Sequence, residues 1–196
     1  MLQRLPAAVW IAVLFVVAFG ATLPTAAPVK LARHPDYHAG KVAFSYLGDI
    51  WIANEDGSGV QRLTDHVGRD VYPRFSPDGR SIAFSSNRNG NNDVFVVPAT
   101  GGTPRRLTFH TGNDEVVGWT RDSQNIVFRA TRGDGAFPSV ATLYQIAASG
   151  GQEKSLGLDW GYWGSFSPDG KSLVFNRHPA TSVSYTHLTL PTIYSV

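Results

Sequence analysis

The side chains best able to bind a metal or move a proton near neutral pH are six histidines, at positions 34, 38, 66, 110, 178 and 187. They fall on unrelated positions of the chain, with no i, i+4 pair on a helix and no cysteine beside them. His34 and His38 have helical spacing, but Pro35 lies between them. The pattern assigns no metal site. The run Asn87-Arg88-Asn89-Gly90-Asn91-Asn92-Asp93 is rich in oxygen like a calcium loop. It lacks the closing glutamate, and such loops need carboxylates for affinity, so it reads as a polar hairpin turn. Arg132-Gly133-Asp134 matches a cell-adhesion tripeptide, which a glycine-rich turn also produces freely. No Gly-x-Ser-x-Gly elbow is present to present a serine nucleophile. Asp78 and Asp169 occupy one repeated turn position, which points to a structural role. No catalytic, cofactor-binding or metal-binding residue is assigned, and no cofactor is expected.

The elements that would position these groups form a repeat. Val42-Ala43-Phe44-Ser45, Ile82-Ala83-Phe84-Ser85, Ile126-Val127-Phe128-Arg129 and Leu173-Val174-Phe175-Asn176 share one pattern. Phe75-Ser76-Pro77-Asp78-Gly79, Trp119-Thr120-Arg121-Asp122-Ser123 and Phe166-Ser167-Pro168-Asp169-Gly170 precede three of them. Asp49-Ile50-Trp51-Ile52, Asp93-Val94-Phe95-Val96 and Thr142-Leu143-Tyr144-Gln145 follow. Gln61-Arg62-Leu63-Thr64, Arg105-Arg106-Leu107-Thr108 and Lys154-Ser155-Leu156 close the unit. Each run is short, rich in β-branched and aromatic residues and bounded by turn residues, so each reads as a strand. Ser-Pro-Asp-Gly presets φ with Pro, bonds locally through Asp and accepts positive φ at Gly. Trp51, Tyr72, Trp119, Tyr144 and Trp163 sit at strand positions and read as core residues. Short antiparallel strands in units of this length predict an all-β fold, a β-propeller of four-stranded antiparallel blades.

The arithmetic of the repeat sets the boundaries. Residues 71–108 and 115–156 read as two full blades, residues 41–64 as three strands of an earlier blade, and residues 162–177 as the first two strands of a later one. A propeller closes with about four to eight blades, so residues 28–182 read as an incomplete propeller, about half of a six-bladed ring. Residues 1–27 read as a cleaved secretory signal peptide: Arg4, then thirteen apolar residues from Ala7 to Phe19, then small residues and Pro24. The apolar core is short of the roughly 20 residues that span a membrane, which favours cleavage over the alternative, an uncleaved membrane anchor. Cleavage fits after Gly20, Ala21 or Ala27. Residues 183–196 carry no Asp, Glu, Lys or Arg and break the repeat. They resemble a translated sequencing adapter and read as a non-native tail; the alternative is an edge strand of unusual composition. The absence of cysteine excludes disulfides and thiolate chemistry and fits export to a bacterial periplasm. A net charge of +2 offers no basic face for nucleic acid.

The ordered combination is more specific than the repeat. The unit from Tyr72 to Arg88, then Asp93 to Val97, then Gly101 to Thr108, resembles the repeat of TolB and tricorn-type protease propellers. His34-Pro35-Asp36-Tyr37-His38 followed by Lys41 to Phe44 and Gly48 to Trp51 resembles the start of the tricorn N-terminal propeller. Val117 to Thr120, Pro138 to Ile146 and Phe175 to Pro179 resemble its later parts. The resemblance covers residues 34–180. It implies a parent with a six-bladed propeller, a seven-bladed propeller and a peptidase region carrying a catalytic Ser and His; only part of the first propeller is matched here, and the catalytic residues have no counterpart in this sequence. The family also holds a peptide carboxylate with paired arginines in a loop between blades. The loop after Thr108, Phe109 to Asp114, has no arginine, and Arg105-Arg106 belongs to the ordinary repeat.

The resemblance therefore implies a fragment of an exported tricorn-like serine protease whose propeller guides or gates peptides. Its expected partners are peptides or unfolded polypeptide, the remaining blades and peptidase domain of the same chain, and a second copy as a homo-oligomer. The chain alone is expected to be inactive. The alternative is a TolB-like periplasmic propeller acting as a protein-interaction module; a third reading is a prolyl-oligopeptidase-type propeller.

Overall fold

The computed structural model describes residues 31–132, 141–158, 162–167 and 169–176, together with the backbone of 192–195. The expected leader, Gly133-Asp134, the start of the longer hairpin at Pro138, His178, His187 and most of the tail lie outside the described residues. The first sheet comprises β1 (Arg33–His38), β2 (Lys41–Tyr46), β3 (Asp49–Asn54) and β4 (Gln61–Arg62). The second comprises β5 (Asp70–Phe75), β6 (Ser81–Ser86), β7 (Asp93–Pro98) and β8 (Arg105–Arg106). The third comprises β9 (Asp114–Trp119), β10 (Asn125–Ala130), β11 (Thr142–Ala147) and β12 (Lys154–Ser155). The fourth comprises β13 (Gly164–Phe166), β14 (Ser172–Phe175) and β15 (Thr192–Ser195). Every sheet is an antiparallel meander in chain order. Among the described residues the fold is all-β, three four-stranded blades and one three-stranded sheet in an open array.

Two boundaries differ from the sequence reading. The first sheet has four strands, because His34 to His38 lies in β1. The fourth sheet has a third strand, β15, paired with β14 through Leu173 opposite Tyr194 and Phe175 opposite Thr192.

Successive sheets stack face to face, so their middle strands are buried on both sides and read as near-continuous apolar runs. Along β6, Ile82 and Phe84 pack with Ala43, Ile50, Ile52 and Leu63 of the first sheet. The intervening Ala83 packs with Val116, Ile126 and Phe128 of the third. Val117, Val127 and Leu143 meet Leu173 and Phe175 across the next seam. This is the period of two expected of strands. Phe84 and Phe128 are both 0% exposed, as their recurrence implies.

The turn between first and second strands repeats atom for atom. In the second sheet, Ser76 Oγ donates to Asp78 Oδ1 at 2.6 Å, the Arg80 N–H donates to the same oxygen at 3.1 Å, and Ser81 N–H donates to Ser76 Oγ at 3.0 Å. Thr120, Asp122, Gln124 and Asn125 repeat this in the third sheet, and Ser167, Asp169, Lys171 and Ser172 in the fourth. These bonds hold all three carboxyls below the usual carboxylate range, with the hydroxyl bond the largest cause. Gly79 and Gly170 take φ of +71°, and Ser123 takes +60° where the middle copy lacks glycine. Asp78 and Asp169 are thus turn-forming residues.

Candidate functional site

The first strands of neighbouring sheets adjoin: β1 lies on β5, β5 on β9, and β9 on β13. Together they form one wall, the channel side of a propeller. Three of them are bulged, β1 between Arg33 and Asp36, β5 between Val71 and Arg74, and β9 where it opposes Val127 and Phe128. The bulges re-aim side chains. His34 and Tyr72 sit in two of them at φ of +52° and +56°.

At one end of the wall, the His34 ring lies 4.3 Å from Tyr72, and Tyr72 lies 4.7 Å from Trp163 of the fourth sheet. The Arg129 guanidinium sits 4.3 Å from the Trp163 ring centre and pairs with Glu115. Burial, then the charges of Arg69, Arg74 and Arg33, push the His34 imidazole below its ordinary range. Of the five aromatics read as core, Trp119 is buried, and Trp51, Tyr72, Tyr144 and Trp163 are half-buried; Tyr144 and Trp163 pack against core clusters from their edges, and Tyr72 lies on the inner edge. At the other end is a cavity of about 420 Å³ bordered by Asp36, Arg74, Trp119 and Phe166. Arg74 crosses three strands: its Nε donates to Val117 O at 3.2 Å and its guanidinium stands 3.8 Å from Asp36. Asp36 accepts the Phe75 N–H at 2.8 Å, and burial raises its carboxyl above the ordinary range. Trp119 Nε1 donates to Arg74 O at 2.9 Å.

Ion pairs, each with a buried aspartate, lie in the sheets behind this wall. Asp70 pairs with Arg88 at 2.7 Å and Asp114 with Arg132 at 2.6 Å. Asp49 pairs with Arg62 at 2.6 Å and Asp93 with Arg106 at 2.8 Å. Both sets recur at constant separations, |i−j| of 18 in the first and 13 in the Asp49–Arg62 example, and that spacing is the sequence signal that would have found them. Thr64 and Thr108 accept the Ile50 and Val94 N–H groups at 2.9 Å, which explains the repeated Leu-Thr.

The residues singled out for chemistry are dispersed. His34 and His38 lie on β1, whereas His66 and His110 are in exposed loops, where each Nδ1 accepts an N–H from Gly68 or Gly112. In the asparagine-rich turn, Asn91 donates to His110 O and Gly112 O, and Asn92 N–H to Asn113 Oδ1. These bonds tie the second sheet to the loop leading into the third. Arg132 is engaged by Asp114 and Glu153. Among the described residues, no group of three or more His, Asp or Glu is placed to hold a metal ion. The wall offers aromatic faces, guanidinium groups and carboxylates to whatever passes along it, which is the chemistry of binding.

Residues 29–186 match the family described as the tricorn protease N-terminal beta propeller domain. Tricorn protease homolog 1 of Streptomyces coelicolor is 43% identical over 79 residues, 40% of this chain and 7% of that protein. The Tol-Pal system protein TolB of Bordetella pertussis is 42% identical over 50 residues, 25% of this chain and 11% of that protein. The crystal structure of the tricorn protease superposes with a TM-score of 0.64 at 25% identity, covering 75% of this chain and 15% of that one. TolB from Acinetobacter baumannii superposes with a TM-score of 0.67 at 22% identity, covering 84% and 41%, and shares the fold. The chain thus spans less than half the length of each of these proteins. With a match over most of its length and the repeated blades to account for it, the chain belongs to the tricorn protease N-terminal β-propeller family.

Proposed function

We propose that this chain is part of an exported tricorn-type serine protease, in which its propeller guides or gates peptides toward a catalytic domain elsewhere in the same polypeptide. The family match over residues 29–186 carries this reading. The inner wall supports it, because aromatic rings and paired charges on adjoining strands suit an extended polypeptide better than a single rigid metabolite. The apolar run before Gly20 supports export to the periplasm. Peptides or unfolded polypeptide, the remaining blades and a peptidase domain are its partners, and a second copy completes a homo-oligomer.

The test is the reading frame of the parent gene beyond codon 180. A second propeller followed by a peptidase region with Ser and His is the expected result, and deletion of residues 28–182 from that protein should alter its cleavage of long peptides. A stop codon after six blades would overturn the protease reading. It would favour a TolB-like interaction module, which the 42% identity of the repeats to TolB supports.

A further inference from the structure

The seam between the first and second sheets holds a cavity of about 200 Å³, bordered by Arg33, His34, Ser45, Gly48, Arg69 and Asp70. It is smaller than pockets for drug-sized ligands, about 300–1,000 Å³, and larger than the roughly 30 Å³ share of one water. Three buried polar atoms on these residues have no hydrogen-bond partner: His34 Nδ1, Ser45 Oγ and Asp70 Oδ1. Asp70 is 0% exposed and Ser45 is 6% exposed. Buried polar groups are normally paired, so three orphans around one cavity point to something that completes them.

The next seam of the same chain is an internal control. Its backbone closure is identical: the Asp70 N–H donates to Gly48 O at 2.7 Å, and the Asp114 N–H donates to Asn92 O at 2.7 Å. At the two positions that match Ser45 and Asp70, however, protein groups satisfy the side chains. Ser85, the counterpart of Ser45, accepts the Val116 N–H at 2.8 Å. Asp114, the counterpart of Asp70, meets Arg132 through both oxygens. At the first seam, the residue in the place of Val116 is Tyr72, in the left-handed region at φ +56°, and Ser45 receives no bond from it. Asp70 meets Arg88 through Oδ2, leaving Oδ1 over.

The charges at the first seam define the ligand. Arg33 and Arg69 are exposed at its edge, and neither has a carboxylate partner among the described residues. With Arg88 also present, the site repels a metal cation. A simple anion would meet the Asp70 carboxylate without offering it a donor. We propose that this seam binds a small carboxylate bearing a hydroxyl or ammonium group on the adjacent carbon. The guanidinium groups of Arg33 and Arg69 take the carboxylate, Asp70 Oδ1 accepts from the hydroxyl or ammonium, and Ser45 and His34 complete the shell. The inference is independent of the protease reading.

Equilibrium dialysis of the full chain tests it, because the readout does not depend on association state. Labelled glycolate and glycine are the probes, with acetate as the anion lacking a donor and ethanolamine as the donor lacking an anion. Glycolate or glycine should bind saturably and at least about tenfold more tightly than acetate or ethanolamine, and the stronger of the two identifies hydroxyl or ammonium. Arg69→Gln, at an exposed position, should weaken that binding about tenfold while leaving the melting temperature unchanged, since a charge-assisted bond is lost. Ser45→Ala should weaken it further. Absence of saturable binding, equal binding of acetate, or parent-like binding by both variants would each overturn the proposal and leave the cavity to water.

Discussion

Substituting Gly79 by alanine tests whether the first and second sheets pack as described. Gly79 takes φ +71°, and a Cβ placed on it would lie 2.5 Å from His38 Nε2 and 2.6 Å from His38 Cδ2. His38 is itself held against the Phe75 ring, with centres 5.7 Å apart. The left-handed backbone alone costs an L-residue about 1–2 kcal/mol. Overpacking against a constrained ring adds about 1–3 kcal/mol, so Gly79→Ala should lose about 2–5 kcal/mol. Gly57 is the control, with φ +82° and nothing within 4 Å of its Cβ; Gly57→Ala should cost only the backbone share, about 1–2 kcal/mol. Urea denaturation followed by tryptophan fluorescence measures both. In a His38→Ala background the overlap is gone, and Gly79→Ala should fall to the Gly57→Ala value. The coupling energy of that cycle should be about 1–3 kcal/mol. Equal losses for Gly79→Ala and Gly57→Ala in the parent chain would refute the packing of β1 against the turn after β5.

Further outcomes follow from the same structure. Phe84→Ala and Phe128→Ala should each cost about 3–5 kcal/mol, seen as a lowered denaturation midpoint, because both rings are fully buried between sheets. Arg106→Met should cost about 3 kcal/mol at neutral pH by leaving the Asp93 carboxylate buried without its 2.8 Å partner. Burial already raises the Asp93 carboxyl above its unfolded value, and Arg106 opposes that rise. The variant should therefore regain stability as pH falls from neutral toward the unfolded carboxyl range, where the parent gains less; parallel pH profiles would contradict the pairing. The purified chain should hydrolyse no peptide bond. Cleavage that is lost on mutating one of its own residues would show otherwise.

The blades were legible in the sequence because their defining groups are local. Phe44, Phe84, Phe128 and Phe175 mark second strands, and Ser76, Asp78 and Gly79 encode a turn whose bonds all lie within six residues. The first strand β1 was obscured because Pro35 and Asp36 do not look strand-like and His34 turns to positive φ, which breaks the alternation. Its role is set by contacts with β2 and β5, not by its own propensity. The inner wall was illegible for a similar reason. Tyr72 and Trp163 are far apart in sequence and meet only because four sheets share one inner edge. The buried Asp–Arg pairs are the intermediate case: their constant spacing was visible, but their burial was not.

The open array itself admits a direct measurement. Each sheet buries its faces against its neighbours, and among the described residues no further sheet covers the outer face of the first or the fourth. Size-exclusion chromatography with light scattering should show residues 28–182 self-associating, and the parent chain extended to six blades running as a single monodisperse species. A stable, well-folded monomer from residues 28–182 would mean that the four sheets close on one another, and would contradict the reading of this chain as part of a larger propeller.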